Sequence, residues 1–280
     1  MAANVRGVPA LEQWAADLPS TVRALADRWH LQVGEPFEPG GECSWVAPVV
    51  RSGEQLVLKV GWWHAEAEHE AEALRFWDGD GAVRLVDATA SAGTLALLLE
   101  RCQPGAPLKD LPEPEQDTIV AGLLRGLWRT PPPGSVFRPL AQMCDEWAAK
   151  ARSSYEDREA DRGLVSEGVA LFRQLPLDDV EPMLLCTDLH AQNVLSAERE
   201  PWLVIDPKPY VGDPAYDVTQ HMLNCPERLA ADPVGLAVRM ADLTGLDARR
   251  VIQWLFGRCI QEGGLNARAY GIARRLTASI

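Results

Sequence analysis

Asp188, His190 and Asn193 interrupt an otherwise apolar stretch, LLCTDLHAQNVL over residues 184–195, and Asp206 closes a second one, WLVI. Ionised and amide side chains in such flanks need partners, because an unpaired buried charge costs several kcal/mol or is neutralised. Asn193 and Asp206, at the two ends of a short strand pair, offer two hard oxygens of the kind that suits Mg2+. Asp188 is a separate carboxylate, able to accept a proton from an attacking hydroxyl. The competing reading is a turn whose Asp and Asn bond only their own backbone. It accounts for one of these residues well and for all three badly.

Two further groups lie far upstream. Lys59 sits in the middle of an alternating run, LVLKV, where an ammonium needs a solvent-facing pleat or an anionic partner. The segment after it carries Glu66, Glu68, Glu70 and Glu72, with Glu66/Glu70 and Glu68/Glu72 each four apart. A snorkelling lysine beside a solvated glutamate face explains the same residues. Gly40 and Gly41, just ahead of Ser44, would let the backbone approach an anion and offer it N–H donors, though a Gly pair also serves as an ordinary turn.

The elements that must hold these groups follow from periodicity. Residues 9–33 show helical apolar spacing through Leu11, Trp14, Leu18, Val22, Leu25 and Trp29. PFEPGGECSWVAPVV and RSGEQLVLKVGW form a hairpin around Ser52-Gly53. The Ala- and Glu-rich segment 64–77 is expected as one helix. Two more strands follow, GAVRLVD and TLALLLE, joined by a turn around Ala90–Gly93. Beyond residues 102–108 the pattern turns helical, with helices expected at 113–129, about 140–152, 157–175, 215–223, 227–243 and 246–279. Two short apolar segments, 183–186 and 201–206, break that run. The chain is therefore α+β in class, with two unequal lobes: a sheet-rich lobe, 1–102, and a helical lobe, 103–280.

Composition narrows the partners. With 280 residues and 47% hydrophobic content the chain has a proper core. Its net charge is −13, so it lacks the basic face that nucleic acid requires. No apolar run approaches membrane-spanning length and no secretory signal opens the sequence. The six cysteines are scattered without C-x-x-C or His spacing, which reads as reduced thiols in a cytoplasmic protein and not as a zinc site. Trp29, Trp77 and Trp128 read as core residues, whereas Trp62-Trp63 at a strand exit has no evident reason.

D-L-H-A-Q-N at 188–193 matches the D-x-x-x-x-N catalytic loop of the protein-kinase-like fold. LLCTDLHAQNVLSAEREPWLVIDPKPYVGDPAYD as a whole resembles the aminoglycoside phosphotransferases, in the branch of streptomycin and hydroxyurea phosphotransferases. The N-terminal helix, GAVRLVD and LLLER are similar to that branch too. The resemblance implies a two-lobed kinase-like fold and transfer of the γ-phosphoryl of ATP to a small-molecule hydroxyl, on an aminoglycoside or hydroxyurea, giving antibiotic resistance. A kinase for an endogenous sugar or amino alcohol, or a catalytically silent nucleotide-binding relative, is the alternative. The roles implied are Asp188 as catalytic base, Asn193 and Asp206 as Mg2+ ligands, and Lys59, positioned by Glu70, on the α- and β-phosphates. Gly40, Gly41 and Ser44 would cover the phosphates, with adenine against the link that contains Glu100 and Cys102. The protein is expected as a monomer or weak dimer.

Where the family writes H-G-D, this chain has Cys186-Thr187-Asp188. Lys208 is placed either to reach a phosphate or to pair with a nearby acid. A cationic acceptor would meet acidic side chains of the helical lobe, with Asp145, Glu146, Asp178, Asp179 and Glu262 as candidates.

Overall fold

The computed structural model describes residues 9–38, 43–91, 93–156 and 160–280. The chain divides into two compact units: Met1–Gly105 with Ser196–Pro201, and Ala106–Leu195 with Trp202–Ile280.

The first unit is a five-stranded antiparallel sheet in the order β1-β2-β3-β5-β4 with two helices. Its strands are β1 (Gln32–Val33), β2 (Ser44–Arg51), β3 (Glu54–Trp62), β4 (Leu85–Ser91) and β5 (Thr94–Glu100). Helices α1 (Pro9–Trp29) and α2 (Glu70–Trp77) complete it. Ser52 (φ 51°) and Gly53 (φ 87°) both take positive φ between β2 and β3, the backbone of a tight hairpin turn whose twist matches the strands. The period of two in β3 decides the layering. Leu56, Leu58 and Val60 pack against Leu11, Trp14, Leu18, Leu25 and Trp29 of α1, so Lys59 must project from the opposite face. Trp62 packs at the edge of the same cluster while Trp63 stays exposed, which accounts for half of that pair.

The second unit is built on α3 (Glu113–Leu127), α4 (Leu140–Ser154), α5 (Arg162–Gln174), α6 (Pro214–Leu223), α7 (Pro226–Ala231), α8 (Pro233–Thr244), α9 (Ala248–Gly263) and α10 (Ala267–Leu276). Trp254 of α9 is fully buried and meets Phe172 of α5 and Tyr216 of α6 edge-on, at 5.9 and 5.2 Å between centroids. The α5–α9 crossing requires Gly168, since a Cβ there would come within 2.4 Å of Ile260. Short strands β7 (Met183–Leu185) and β10 (Tyr210–Gly212) pair antiparallel, Leu185 opposite Tyr210. Strands β6 (Pro104–Pro107), β8 (Val194–Ala197) and β9 (Trp202–Val204) make a three-stranded sheet with β8 central.

Several sequence expectations need correction. The first helix stops at Trp29, followed by His30 at φ 55°, and residues 32–33 are a strand. The helix expected over 64–77 is a single 3-10 turn at Ala65–Ala67 and then α2 from Glu70. A continuous helix would have stacked Glu66 on Glu70 and Glu68 on Glu72, two repulsive pairs. Residues 227–243 are two helices because Asp232 caps α8 by accepting from Gly235 N–H, with Pro233 in its first turn. Residues 246–279 divide at Gly263-Gly264, where Asn266 caps α10. The helix expected from 157 begins at Arg162, capped by Asp161, and residues 157–159 lie outside the described residues.

Candidate active site

The loop between β7 and β8 is built around a buried carboxylate contributed from elsewhere. Asp217, on the first turn of α6, is fully buried. It accepts hydrogen bonds from the backbone N–H of Cys186 (2.9 Å) and Thr187 (2.6 Å) and from Trp128 Nε1 (3.0 Å). Trp128 is thus half-buried with a polar duty, where the sequence had suggested plain core. Burial drives the Asp217 carboxyl up to about 6 against these donors. Thr187 takes φ 46°, a left-handed conformation unfavourable for a β-branched residue. Its hydroxyl donates to the Lys208 carbonyl, and Lys208 N–H returns a bond to the Cys186 carbonyl at 2.9 Å. The glycine expected here by resemblance is therefore replaced by a residue that offsets its strain with a side-chain bond. Cys186 is fully buried, and burial, followed by the Asp217 and Asp188 charges, pushes its thiol well above the ordinary value. It is a protonated packing group.

Asp188 follows with its carboxylate held on both oxygens. Oδ2 accepts from Lys208 Nζ at 2.6 Å and Oδ1 from Gln220 Nε2 at 2.8 Å. Of the two options for Lys208, the structure shows the pairing with an acid. His190 places Nε2 3.8 Å from Asp188 Oδ1, while its Nδ1 accepts from Gln192 N–H. Burial lowers the affinity of His190 for a proton, with the Asp188 charge opposing, which leaves a net downward shift.

Asn193 Nδ2 donates to the Asp188 backbone carbonyl at 3.0 Å. That bond uses the amide nitrogen and leaves Oδ1 as the group able to meet a cation. The Asn193 carbonyl accepts from Ile205 N–H at 2.9 Å, which brings the backbone beside Asp206 against Asn193. Asp206 itself adopts φ 54°. One amide oxygen and one carboxylate fit a small hard cation that takes most of its ligands from water and phosphate. They do not suit a cage made wholly of protein groups, and no cluster of three His, Cys, Asp or Glu occurs among the described residues.

In the first unit, Lys59 Nζ lies 2.7 Å from both Glu70 oxygens, and Glu70 is 1% exposed. Of the four glutamates only Glu70 is buried, and the start of α2 at that residue delivers it. Ser44 opens β2 opposite Gly61; Gly40 and Gly41 lie outside the described residues. Glu100, at the end of β5, accepts from Arg84 N–H and forms a two-point pair with Arg199 (2.9 and 3.0 Å). Burial would raise its carboxyl, yet the bonds from Arg199 and Arg84 leave it lowered. Its side chain is committed, and its N–H donates to the Arg84 carbonyl at 2.9 Å. Cys102 is half-buried, its thiol pushed up to about 11 by burial and by Glu100.

The acidic candidates separate. Asp178 is tied to Arg250, Asp145 to Arg173 at 2.8 Å, and Glu146 accepts from Gln142. Asp179 is exposed. Glu262 lies 3.7 Å from Arg258, whose guanidinium also donates to Gln220 Oε1 at 3.0 Å. Glu262 is thus only an ion-pair neighbour of the guanidinium that holds Gln220, outside hydrogen-bond distance. The anchor Asp217, the amide Gln220 and the clamp Arg199 were not assigned from sequence. PAYD showed an aspartate without its partners, and a glutamine inside a helix has no spacing signature.

Residues 28–269 match the family described as aminoglycoside/hydroxyurea antibiotic resistance kinase. The chain belongs to that family. It is 34% identical to the streptomycin 6-kinase of Streptomyces glaucescens, over 89% of this chain and 83% of that one. It is 35% identical to the hydroxyurea phosphotransferase of Kitasatospora aureofaciens, over 91% and 75%. A thermostable mutant of aminoglycoside phosphotransferase APH(4)-Ia, solved with AMP-PNP and hygromycin B, superposes with a TM-score of 0.59 at 17% identity, covering 93% of this chain and 98% of that one. This antibiotic resistance kinase is a phosphotransferase with the two-lobed, protein-kinase-like fold: a sheet-rich N-terminal unit and a helical C-terminal unit.

Proposed function

We propose that this kinase transfers the γ-phosphoryl of ATP, with Mg2+, to a hydroxyl of streptomycin or a similar aminoglycoside, with hydroxyurea as the second acceptor to test. The observation that carries the reading is the Asp188 carboxylate, fixed on both oxygens while Asn193 turns its amide oxygen free. Each carboxylate oxygen keeps a further lone pair for an acceptor hydroxyl, so Asp188 can orient that hydroxyl and take its proton as transfer proceeds. Mg2+ held by Asn193 and Asp206 would neutralise charge on the phosphates. Lys59, fixed by Glu70, would contact the α- and β-phosphates; Gly40, Gly41 and Ser44 would cover them, and backbone groups from Glu100 to Cys102 would meet adenine. Phosphoryl transfer depends mainly on position and charge stabilisation, and these groups supply both. The enzyme acts as a cytoplasmic monomer or weak dimer.

The test is ADP release with mass spectrometry of product, using streptomycin, hydroxyurea, other aminoglycosides and simple sugars. A phosphorylated streptomycin or hydroxyurea is expected. Asp188→Ala should abolish transfer and spare nucleotide binding, while Asp206→Ala should weaken Mg-ATP binding itself. Full activity in Asp188→Ala would refute the assignment of the base.

A further inference from the structure

Helix α6 touches the catalytic loop at two points one turn apart. Asp217 holds the backbone of Cys186 and Thr187, and Gln220 holds the Asp188 side chain. The second contact depends on which way the glutamine amide faces. Arg258 decides it. A guanidinium only donates, and Arg258 donates to Gln220 Oε1 at 3.0 Å, so Nε2 must point to Asp188 Oδ1. A flipped amide would set donor against donor at Arg258 and acceptor against acceptor at Asp188.

Arg258 is itself held with little freedom. It is 3% exposed, donates to Tyr216 Oη at 2.7 Å, and lies over the rings of Tyr216 (5.0 Å) and Trp147 (5.5 Å). Burying a guanidinium is costly unless it is well paired, and its nearest carboxylate, Glu262, is 3.7 Å away and partly exposed. A helical core has cheaper ways to fill that space. What the arginine accomplishes is to fix one amide beside the base.

We propose that Gln220, its amide direction set by Arg258, is a positioning residue that holds the Asp188 carboxylate in the geometry needed for the acceptor hydroxyl. This rests on the reading of Asp188 as the base. Small losses of alignment at a reacting group cost about 10- to 100-fold in rate, so Gln220→Met should lower kcat by about that factor. Nucleotide KM should stay near wild type, while Gln220→Met loses some stability because Arg258 gives up an acceptor. Gln220→Glu, which keeps an acceptor for Arg258 but cannot donate to Asp188 when ionised, guards against a folding defect and should show the same loss.

The deciding experiment is a cycle of wild type, Gln220→Met, Asp188→Ala and the double variant, assayed with the acceptor that gives product and at enzyme concentrations high enough to read the residual rate of Asp188→Ala. If Gln220 works through Asp188, the double variant is no slower than Asp188→Ala alone. Losses that multiply, or a fall in the melting temperature of Gln220→Glu that parallels its fall in rate, would overturn the proposal in favour of a structural role. Wild-type kcat in both Gln220 variants beside an inactive Asp188→Ala would overturn this inference alone. An active Asp188→Ala would overturn the reading of the base beneath it.

Discussion

Two aspartates of the helical unit are fully buried and are treated in opposite ways. Asp117, on α3, takes both nitrogens of Arg228 (3.0 and 2.7 Å), Arg239 Nε (2.7 Å) and His221 Nε2 (3.0 Å), so one carboxylate ties α3 to α6, α7 and α8. Asp217 receives only neutral donors, two backbone N–H groups and an indole. Burial pushes both carboxyls up. At Asp117 the bonds from His221, Arg228 and Arg239 overcome it and hold the group far below the ordinary range. At Asp217 the donors fall short, and it rises to about 6. Cations that reach solvent make a helix junction, whereas neutral dipoles around a sealed carboxylate position a loop without adding charge near the chemistry.

The largest test of this contrast is Asp217→Ala. It strands three donors in the interior and should cost about 3–5 kcal/mol, with transfer lost as the 186–188 backbone slackens. Denaturant unfolding within 1 kcal/mol of wild type would show the loop to be anchored elsewhere. Asp117→Ala should cost less, about 2–3 kcal/mol, because Arg228 and Arg239 are 29% and 41% exposed and can rehydrate. Per folded molecule, kcat should change little.

The pH dependences should run in opposite directions. An unfolded aspartate titrates near 3.9. Asp217 is raised in the fold, so its contribution is greatest below about 4 and declines as pH rises through about 6. Asp117 is depressed, so its contribution is complete above about 4 and is lost at lower pH. Unfolding of wild type, Asp217→Asn and Asp117→Asn from pH 3 to 7 should separate the two slopes; parallel curves would erase the distinction. The smallest effect concerns the loop that Asp217 holds. Thr187→Gly relieves a left-handed β-branched residue but removes the bond to the Lys208 carbonyl, two effects of about 1 kcal/mol each and opposite in sign. The melting temperature should barely move.

What the sequence revealed, and what it hid, follows from range. The alternation in LVLKV is local and sets Lys59 on the pleat away from its apolar neighbours; that those neighbours face α1, and that Lys59 has an anionic partner, came only with the fold. The spacing from Asp188 to Asn193 was legible because one short loop sets it. Spacing alone could not choose Lys59's partner among four similar glutamates; the resemblance named Glu70, and the structure pairs the two at 2.7 Å with Glu70 buried at the start of α2. Helix ends at Asp232 and Asn266 were missed because an Asx cap inside a long helical pattern looks like one more polar residue. Asp217, Gln220 and Arg258 act about 30 to 40 residues away in the chain. Such pairings come from tertiary packing, to which periodicity is blind.

The return Ser196–Pro201, which belongs to the first unit, bears on how this enzyme is made. Arg199, in that return, clamps Glu100 and also donates to the Ala82 carbonyl, while Glu200 accepts from Gly81 N–H. On the ribosome, the sheet-rich unit is therefore unfinished when its first 105 residues emerge; it waits for a piece encoded nearly a hundred codons later. An N-terminal fragment cut at the apparent boundary would leave a carboxylate without its guanidinium. Nascent chains stalled past residue 201 should resist protease in this unit where shorter ones do not.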